Sequence, residues 1–393
     1  MGKAVFSTFS QATGIFSILF SLTSVASAWV FSRARKGVGP SSDMTLPPIT
    51  IMKPLKGEDH ELYKNLASFC AQDYPRFQII FCAASPEDPA LDVVERLRRN
   101  FPRLDAEVVV SRQKIGCNPK ISNLANAESK IKYDTLMISD SDIRVHSDFL
   151  RKMVGPLGDP RVGMVNCFYR AVKPKGIFSV LKAMAINSQY LPQALTAGAF
   201  GMRFAMGAAM LVRRRVFEAT GGFQNLADHI ADDYTLGEAV QKAGYRLEFS
   251  QVVVDSVTER WGATELFGHQ AREARTVRIC QPAGYFGTIL LQGFTLLTIQ
   301  ALLFGATRDI LRLCLALWAV KAAGNYLILR LLGKSQNAWS LWLLPLSEWL
   351  AFSSWVLGFT SNEVLWRGVM YSIEPNGRLI PTGRVLQAAP AKN

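Results

Sequence analysis

Long apolar stretches flank a central region in which short apolar runs alternate with amphipathic ones. No charge lies between Lys3 and Arg33, and residues 12–32 are long enough to cross a bilayer as a helix. Toward the other end, residues 279–307 carry no charge and contain a second candidate span at 284–304. A third falls at 311–329 and a fourth apolar stretch at 339–359. Lys321, inside the third, must face other helices or snorkel, because a charge at the bilayer centre costs about 3 kcal/mol or more. Pro345 and Glu348 interrupt the fourth, and an intramembrane carboxylate there reads as a pairing residue. Three full crossings would leave the carboxyl terminus outside, yet the tail after Trp366 carries Arg367 and Arg378. One of the three is therefore expected to be re-entrant, and the sequence leaves the parity open.

The central region, about 45–260, alternates strand and helix signals as an α/β domain does. Strands are expected at 49–52, 78–84, 107–110 and 136–139, with helices at 61–70, 90–100, 120–130 and 235–243. Neither GxGxxG nor a Walker sequence is present, which removes the usual support for dinucleotide and P-loop chemistry. Residues 176–202 carry only Lys182 as a charge. They fit a segment dipping into the membrane surface along a lipid's path, or core between two sheets. The expected units are an anchor at 1–36, a soluble domain at 45–262, a basic interfacial helix at 263–282, membrane helices at 283–362 and a polar tail at 363–393.

Composition sharpens this division. Of 393 residues, 49% are hydrophobic and mean hydropathy is +0.13, as expected of a membrane protein with one soluble domain. Arg33, Arg35 and Lys36 follow the first apolar stretch, so the positive-inside bias puts the amino terminus outside and residue 40 onward in the cytoplasm. Ala26-Ser27-Ala28 resembles a signal-peptidase site, but a signal peptide carries its positive charge before the apolar run, not after it. The net charge of +13 gathers partly at 33–36, 213–215 and 272–278, which suits anionic lipid headgroups. No nucleic-acid-binding module is recognisable. Six dispersed cysteines without a CxxC pair read as reduced thiols.

Chemistry concentrates at three places. The run Asp134 to Asp142 reads D-T-L-M-I-S-D-S-D, a buried strand that delivers Asp140 and Asp142 to its carboxyl end. Paired carboxylates there suit a divalent metal held against a diphosphate, although a lone DxD is weak. The second place is Ala231-Asp232-Asp233-Tyr234, where the acids suit a catalytic base and also the first turn of a helix. The third is the basic run Arg272, Arg275 and Arg278; Arg272 and Arg275 share a helix face and suit a diphosphate clamp. Together with the flanking apolar segments they point to a sugar transferase acting on lipid.

Five motifs in this order carry a family resemblance: Ile51-Met52-Lys53-Pro54-Leu55-Lys56-Gly57, Asp88-Pro89-Ala90-Leu91-Asp92, Asn118-Pro119-Lys120-Ile121-Ser122-Asn123-Leu124, Asp140-Ser141-Asp142-Ile143-Arg144-Val145 and Ala231-Asp232-Asp233-Tyr234. They resemble the ceramide glucosyltransferases and equally the bacterial hopanoid glycosyltransferases of the same superfamily, which add N-acetylglucosamine to a polyol side chain. The resemblance implies a GT-A catalytic domain with one N-terminal and about three C-terminal transmembrane or re-entrant helices. It also implies a UDP-sugar donor, Mg²⁺ or Mn²⁺, a membrane lipid acceptor such as ceramide or bacteriohopanetetrol, and inversion at the anomeric carbon. Residue by residue, Asp88 or Asp92 would stand near uridine, with a helix cap as the plain alternative. Lys120 would meet the nucleotide or its phosphates, Asp140 and Asp142 the metal, and Asp233 the acceptor hydroxyl as base. Asp232 would raise the proton affinity of Asp233. The family's last signature, Gln or Arg, two residues, then Arg-Trp, fits at Arg272, but Glu273 stands where tryptophan is expected. The plain alternative is that Glu273 pairs with a neighbouring arginine and the helix is an ordinary interfacial one. A processive polysaccharide synthase and a catalytically silent lipid-binding relative are the remaining readings. The missing tryptophan weighs against the first, and the retained Asp140, Asp142 and Asp233 weigh against the second.

Overall fold

A computed structural model describes residues 2–37, 46–58, 60–334, 338–366 and 368–385. Arg367, residues 386–393 and the side chains of Arg35 and Lys36 lie outside the described residues. The chain opens with helix α1 (Gly2–Gly37) and continues through β1 (Ile49–Pro54), α2 (Leu62–Cys70), β2 (Phe77–Ala83), α3 (Ala90–Asn100), β3 (Asp105–Val110), α4 (Pro119–Ala125), β4 (Thr135–Ser139) and β5 (Ile143–Arg144). Next come α5 (Phe149–Val154), β6 (Val162–Val172), α6 (Ile177–Met184), a π-helical turn (Ala185–Tyr190), α7 (Leu191–Ala199), β7 (Ala209–Arg213), α8 (Arg214–Ala219), α9 (Gly222–Leu226), α10 (Asp232–Lys242) and β8 (Arg246–Val257). After these stand α11 (Ala263–Cys280), α12 (Pro282–Gly287), α13 (Gly293–Phe304), α14 (Arg308–Leu331), α15 (Leu344–Gly358), β9 (Glu363–Trp366), β10 (Val369–Ile373) and β11 (Leu379–Val385).

The sheet runs β3-β2-β1-β4-β7-β6-β8-β5. β3, β2, β1 and β4 are parallel, β7 runs against β4 and β6, and β8 is parallel to β6. Strands covered on both faces need apolar side chains on both, which is why Ile49, Ile51, Met52 and the run 136–138 read as continuous hydrophobic stretches. Helix α3 buries Ala90, Val93, Val94 and Leu97, one helical stripe against the sheet. The expected helix at 120–130 ends at Ala125, with a separate 3-10 turn at Glu128–Lys130. Its start is set by Asn118, whose Oδ1 accepts from the backbone N–H groups of Lys120 (3.0 Å) and Ile121 (3.2 Å), with Pro119 in the first turn.

Among the described residues, two helices are long and apolar enough to cross a membrane, α1 over Gly2–Ala34 and α14, and a third span counts if the pair Pro282–Leu291 and Gly293–Phe304 is one span bent by 60°. The bend lies where α13 meets α1 backbone to backbone. A Cβ on Gly293 would come within 2.8 Å of the Gly14 Cα, so only small residues permit the approach. α1 and α13 run antiparallel, with Phe6 beside Phe304 (6.0 Å between centroids) and Ser17 Oγ donating to the Leu290 carbonyl (3.1 Å). The stretch expected at 339–359 divides into a 3-10 turn, Ala338–Leu343, and the 15-residue α15. At 1.5 Å per residue α15 spans about 22 Å, short of a hydrocarbon core of about 30 Å.

Residues 176–202 lie between the sheet and the long helices rather than between two sheets. Leu191, Ala194 and Leu195 pack with Ala28 of α1, Phe168 of β6, and Ile328 and Leu329 of α14. The end of α14 is fastened to the same sheet. Arg170 pairs with Asp255 (2.7 Å) and donates to the Leu332 carbonyl, while Lys334 reaches Asp255 at 3.0 Å. The expected polar tail is folded through residue 385, as the antiparallel sheet β11-β10-β9. It docks beside α10 through Leu379 N to Asp228 O (2.7 Å) and Ile230 N to Gly377 O (3.2 Å). Val364, Tyr371, Ile373 and Leu379 bury the contact with Cys117, Ile230 and Ile279.

Candidate active site

The site begins at the carboxyl end of β4. Ser139 is buried, and its hydroxyl donates to the Ala208 carbonyl (2.8 Å) while accepting from Lys53 Nζ (2.9 Å). Lys53 also donates to the Asp140 carbonyl (2.8 Å), so β1 fixes the backbone from which Asp140 and Asp142 project. Burial pulls the Lys53 ammonium down to about 7, against the supporting charges of Asp140 and Asp142. Sequence reasoning gave Lys53 no role; its signal was a lone lysine inside an apolar strand. Asp142 Oδ2 accepts from Ser256 Oγ (2.6 Å), and Val257 N donates to the Asp142 carbonyl (2.9 Å). Arg144 Nη2, clamped by Glu61 (2.8 Å) and Asn65 (2.7 Å), holds the chain just beyond.

Lys120 closes the other side. Its ammonium lies 2.9 Å from Asp140 Oδ1 and 3.0 Å from Asp232 Oδ2. Burial opposes its charge, but Asp140, Asp232 and Asp233 outweigh that and hold it firmly protonated. α10 starts at Asp232 rather than at 235, so both acids occupy its first turn, where the helix dipole favours them. Asp233 Oδ1 accepts from the Tyr234 N–H (2.8 Å). Burial first and the Asp232 charge second push the Asp233 carboxyl up to about 6, against the pull of Lys120. All three groups converge on Gly207: a Cβ there would lie 3.3 Å from Asp140 Oδ2, 3.4 Å from Asp233 Oδ2 and 3.6 Å from Lys120 Nζ. Glycine leaves that hollow open.

Among the described residues no three His, Cys, Asp or Glu side chains gather tightly enough to enclose a metal ion. The donor set nevertheless fits Mg²⁺ or Mn²⁺. Mg²⁺ typically takes one or two carboxylates and fills its remaining positions with phosphate oxygens and water. Asp140 and Asp142 supply the carboxylates, and the hollow at Gly207 leaves Asp140 Oδ2 accessible.

Tyr169 of β6 and Tyr190 of the π-helical turn, whose rings stand 5.1 Å apart, lie within reach of the Asp233 charge. Burial raises both phenols well above their usual range, and both feel the charges of Asp233 and Glu273. Glu273 pairs with Lys182 (3.0 Å) and His269 Nδ1 (3.2 Å), not with a neighbouring arginine. Partial desolvation opposes the charge of this half-exposed carboxyl, yet Lys182 and His269 hold it well below the usual range. Trp261 packs edge-on against the His269 ring at 4.8 Å, so an aromatic wall is present beside Glu273 although residue 273 is not tryptophan. Separations of 87 and 91 residues from Lys182 to His269 and Glu273 hid this group from sequence reasoning.

The remaining candidates are dispersed. Arg275 Nη1 donates to the Glu363 carbonyl (2.7 Å), which ties it to the C-terminal sheet, whereas Arg272 stays beside Glu273. Asp88 Oδ1 accepts from Gly57 N (2.9 Å) and Ala90 N (3.0 Å), joining the loop after β1 to the start of α3. Asp92 lies exposed in the first turn of α3. Among the described residues, no hydrogen bond or ion pair joins Asp88, Asp92 or Arg275 to the group around Gly207.

A mixed sheet carrying paired carboxylates at one strand end, a partly buried carboxylate at a helix start and a lysine between them has the layout of a GT-A-like glycosyltransferase. Residues 10–379 match the family model described as Glycosyl transferase family 21, and the chain belongs to that family. It is 26% identical over 221 residues to ceramide glucosyltransferase 3 of Caenorhabditis elegans, covering 56% of this chain and 48% of that protein. To the ceramide glucosyltransferase of Candida albicans it is 33% identical over 190 residues, covering 45% and 35%. The chain thus spans about half the length of the curated relatives it matches, or less. Among solved structures it is similar to the mannosyltransferase PcManGT from Pyrobaculum calidifontis in complex with GDP-Man and Mn²⁺, at 19% identity and a TM-score of 0.48, covering 88% of this chain and 97% of that one.

Proposed function

We propose that this chain transfers a hexose, glucose first, from a UDP-sugar to the hydroxyl of a membrane lipid, ceramide first, with inversion. The observation that carries the reading is the convergence of Asp140, Asp233 and Lys120 on the hollow at Gly207. Asp233 accepts the proton of the acceptor hydroxyl as that oxygen attacks the anomeric carbon. The bond from that carbon to the diphosphate oxygen breaks, and UDP leaves with the electron pair. Its raised proton affinity makes Asp233 a stronger base than an ordinary carboxylate. Lys120 and Arg272 meet diphosphate charge, with Arg275 behind them and Asp88 and Asp92 on the uridine side. Asp140 and Asp142 would hold Mg²⁺ or Mn²⁺, which neutralises charge on the departing UDP.

A polyhydroxylated acceptor such as bacteriohopanetetrol, with UDP-N-acetylglucosamine as donor, is the second reading. It is favoured by Glu273, a half-exposed carboxylate that accepts hydrogen bonds from a hydroxyl-rich headgroup. Purified protein would be offered radiolabelled UDP-glucose and UDP-N-acetylglucosamine with each lipid separately. Label entering ceramide from UDP-glucose supports the first reading, label entering only the hopanoid supports the second, and label in neither overturns both.

The membrane path follows from where the helix ends lie. The end of α14 and the C-terminal sheet both meet the catalytic domain, so the chain between them returns to the side it left. On the path we propose, α1, the bent α12–α13 unit and α14 cross and α15 is re-entrant, and the positive charge after α1 puts the catalytic domain in the cytoplasm. With that topology, a cysteine replacing Ala306 reacts with an impermeant maleimide only from the side opposite the catalytic domain, and one replacing Asn376 only from the catalytic side. Labelling of both from one side would sink it.

A further inference from the structure

A second cavity, apart from the carboxylate site, lies between the membrane helices. α1, the π-helical turn with α7, the bend before α13, α14 and α15 enclose it, and it leaves about 80 Å³ for the centre of a water-sized group. One water needs roughly 10–15 Å³ on that measure, so the space takes a polar group of several atoms. Its lining is polar for a place this deep among apolar helices: Ser21, Gln189, Gln193 and Gln292, with Lys321 and Glu348 as its charged members. Those two charges neutralise each other in a direct ion pair. Glu348 also accepts from Thr295 N (3.1 Å) and Lys321 also donates to the Leu291 carbonyl (3.0 Å). A phosphate would therefore find no spare cation here.

Gln292 is the informative side chain. It is 8% exposed, it stands at the bend that breaks the span, and its Oε1 has no hydrogen-bond partner among the described residues. A buried amide oxygen left unpaired costs on the order of 1–3 kcal/mol, and the group that satisfies it must bring an N–H or O–H. Phe20, Phe294 and Trp318 give the lining apolar surface as well. We propose that this cavity binds a neutral amphiphilic lipid through an amide N–H or hydroxyl donated to Gln292, with the apolar body against those rings. The π-helical turn lies between the two sites, presenting Ser188 and Gln189 to the cavity while Tyr190 stacks beside Tyr169. The cavity is thus a holding site for a lipid of the acceptor's class, and in that respect the inference rests on the lipid-acceptor reading.

The test uses the full chain in phosphatidylcholine nanodiscs with a ceramide that bears a photoreactive diazirine and an alkyne on its acyl chain. Crosslinks are expected in peptides covering residues 17–24, 188–193 and 318–325, displaced by excess unlabelled ceramide and not by phosphatidylcholine. Gln292→Leu should lower that labelling about tenfold, as loss of one buried hydrogen bond would. Gln193→Phe, which fills the space, should lower it as well, and both variants should bind UDP with unchanged affinity, which verifies their fold. Labelling spread over the helix surfaces, or indifferent to both substitutions, overturns the proposal and leaves the cavity to water around a structural ion pair. Ceramide that labels the cavity but never receives sugar leaves the binding site standing and removes ceramide as acceptor. Ceramide that is glycosylated normally by both variants, with unchanged labelling, does the reverse.

Discussion

In the proposed function, the donor and acceptor sides of the candidate site are built differently. On the donor side, Asp140, Asp142, Asp232 and Asp233 sit within a few residues of a strand end or a helix start, and backbone or near-backbone contacts fix them: Lys53 on the Asp140 carbonyl, Val257 N on the Asp142 carbonyl, Tyr234 N on Asp233. On the acceptor side, Tyr169, Lys182, Tyr190, Trp261, His269 and Glu273 come from a strand, two helices, a π-helical turn and a loop, and contacts between their side chains bring them together. A donor side anchored to backbone keeps its geometry when one side chain changes. An acceptor side made of side chains is where altered specificity is cheapest to reach.

The strongest way to break the comparison is Asp233→Asn. Transfer should fall by about 10²–10⁴-fold, the contribution of a positioned base, while calorimetric UDP-sugar affinity stays within a few-fold; near-normal turnover would assign the base elsewhere. Asp140→Ala comes next. It should weaken metal-dependent UDP binding roughly tenfold or more and leave metal-independent binding alone.

The pH dependence sharpens the same contrast. A base must be unprotonated to act, and the Asp233 carboxyl is raised, so activity should fall as pH drops through about 6. Asp232→Asn removes one cause of that rise, so the acid limb of kcat/KM should move to lower pH, though not to an ordinary carboxylate value, because burial remains. A limb that stays in place would assign it to another group.

The smallest effect is expected on the acceptor wall. Glu273→Gln should raise the acceptor KM several-fold with kcat and UDP affinity unchanged. It should cost on the order of 1 kcal/mol of stability, since the Glu273 side chain is 49% exposed and solvent screens its pair with Lys182. A drop in kcat with no change in acceptor KM would remove Glu273 from the acceptor wall.

Much of the fold was legible in the sequence because its signals are local. Ile49, Ile51 and Met52 announce a doubly buried strand, and the spacing of Ala90, Val93, Val94 and Leu97 announces the helix that covers it. The C-terminal sheet was missed because its strands are short and half polar, with a hydrophobic face that makes sense only against Ile230 and Ile279. The break at Gln292 was missed because its cause is the contact of Gly293 with Gly14, 279 residues earlier by subtraction of the two positions.

By itself, the sequence determined the α/β alternation, the apolar flanks and the placement of Asp140, Asp142 and Asp233 at element ends, because hydrophobic period and capping chemistry act over a few residues. Tertiary structure alone decided that Lys120 stands between Asp140 and Asp232, that Glu273 is held by Lys182 and His269, and that α14 and the C-terminal sheet return to the same domain. Charge pairing and close packing depend on distance in space, and no period along the chain records it.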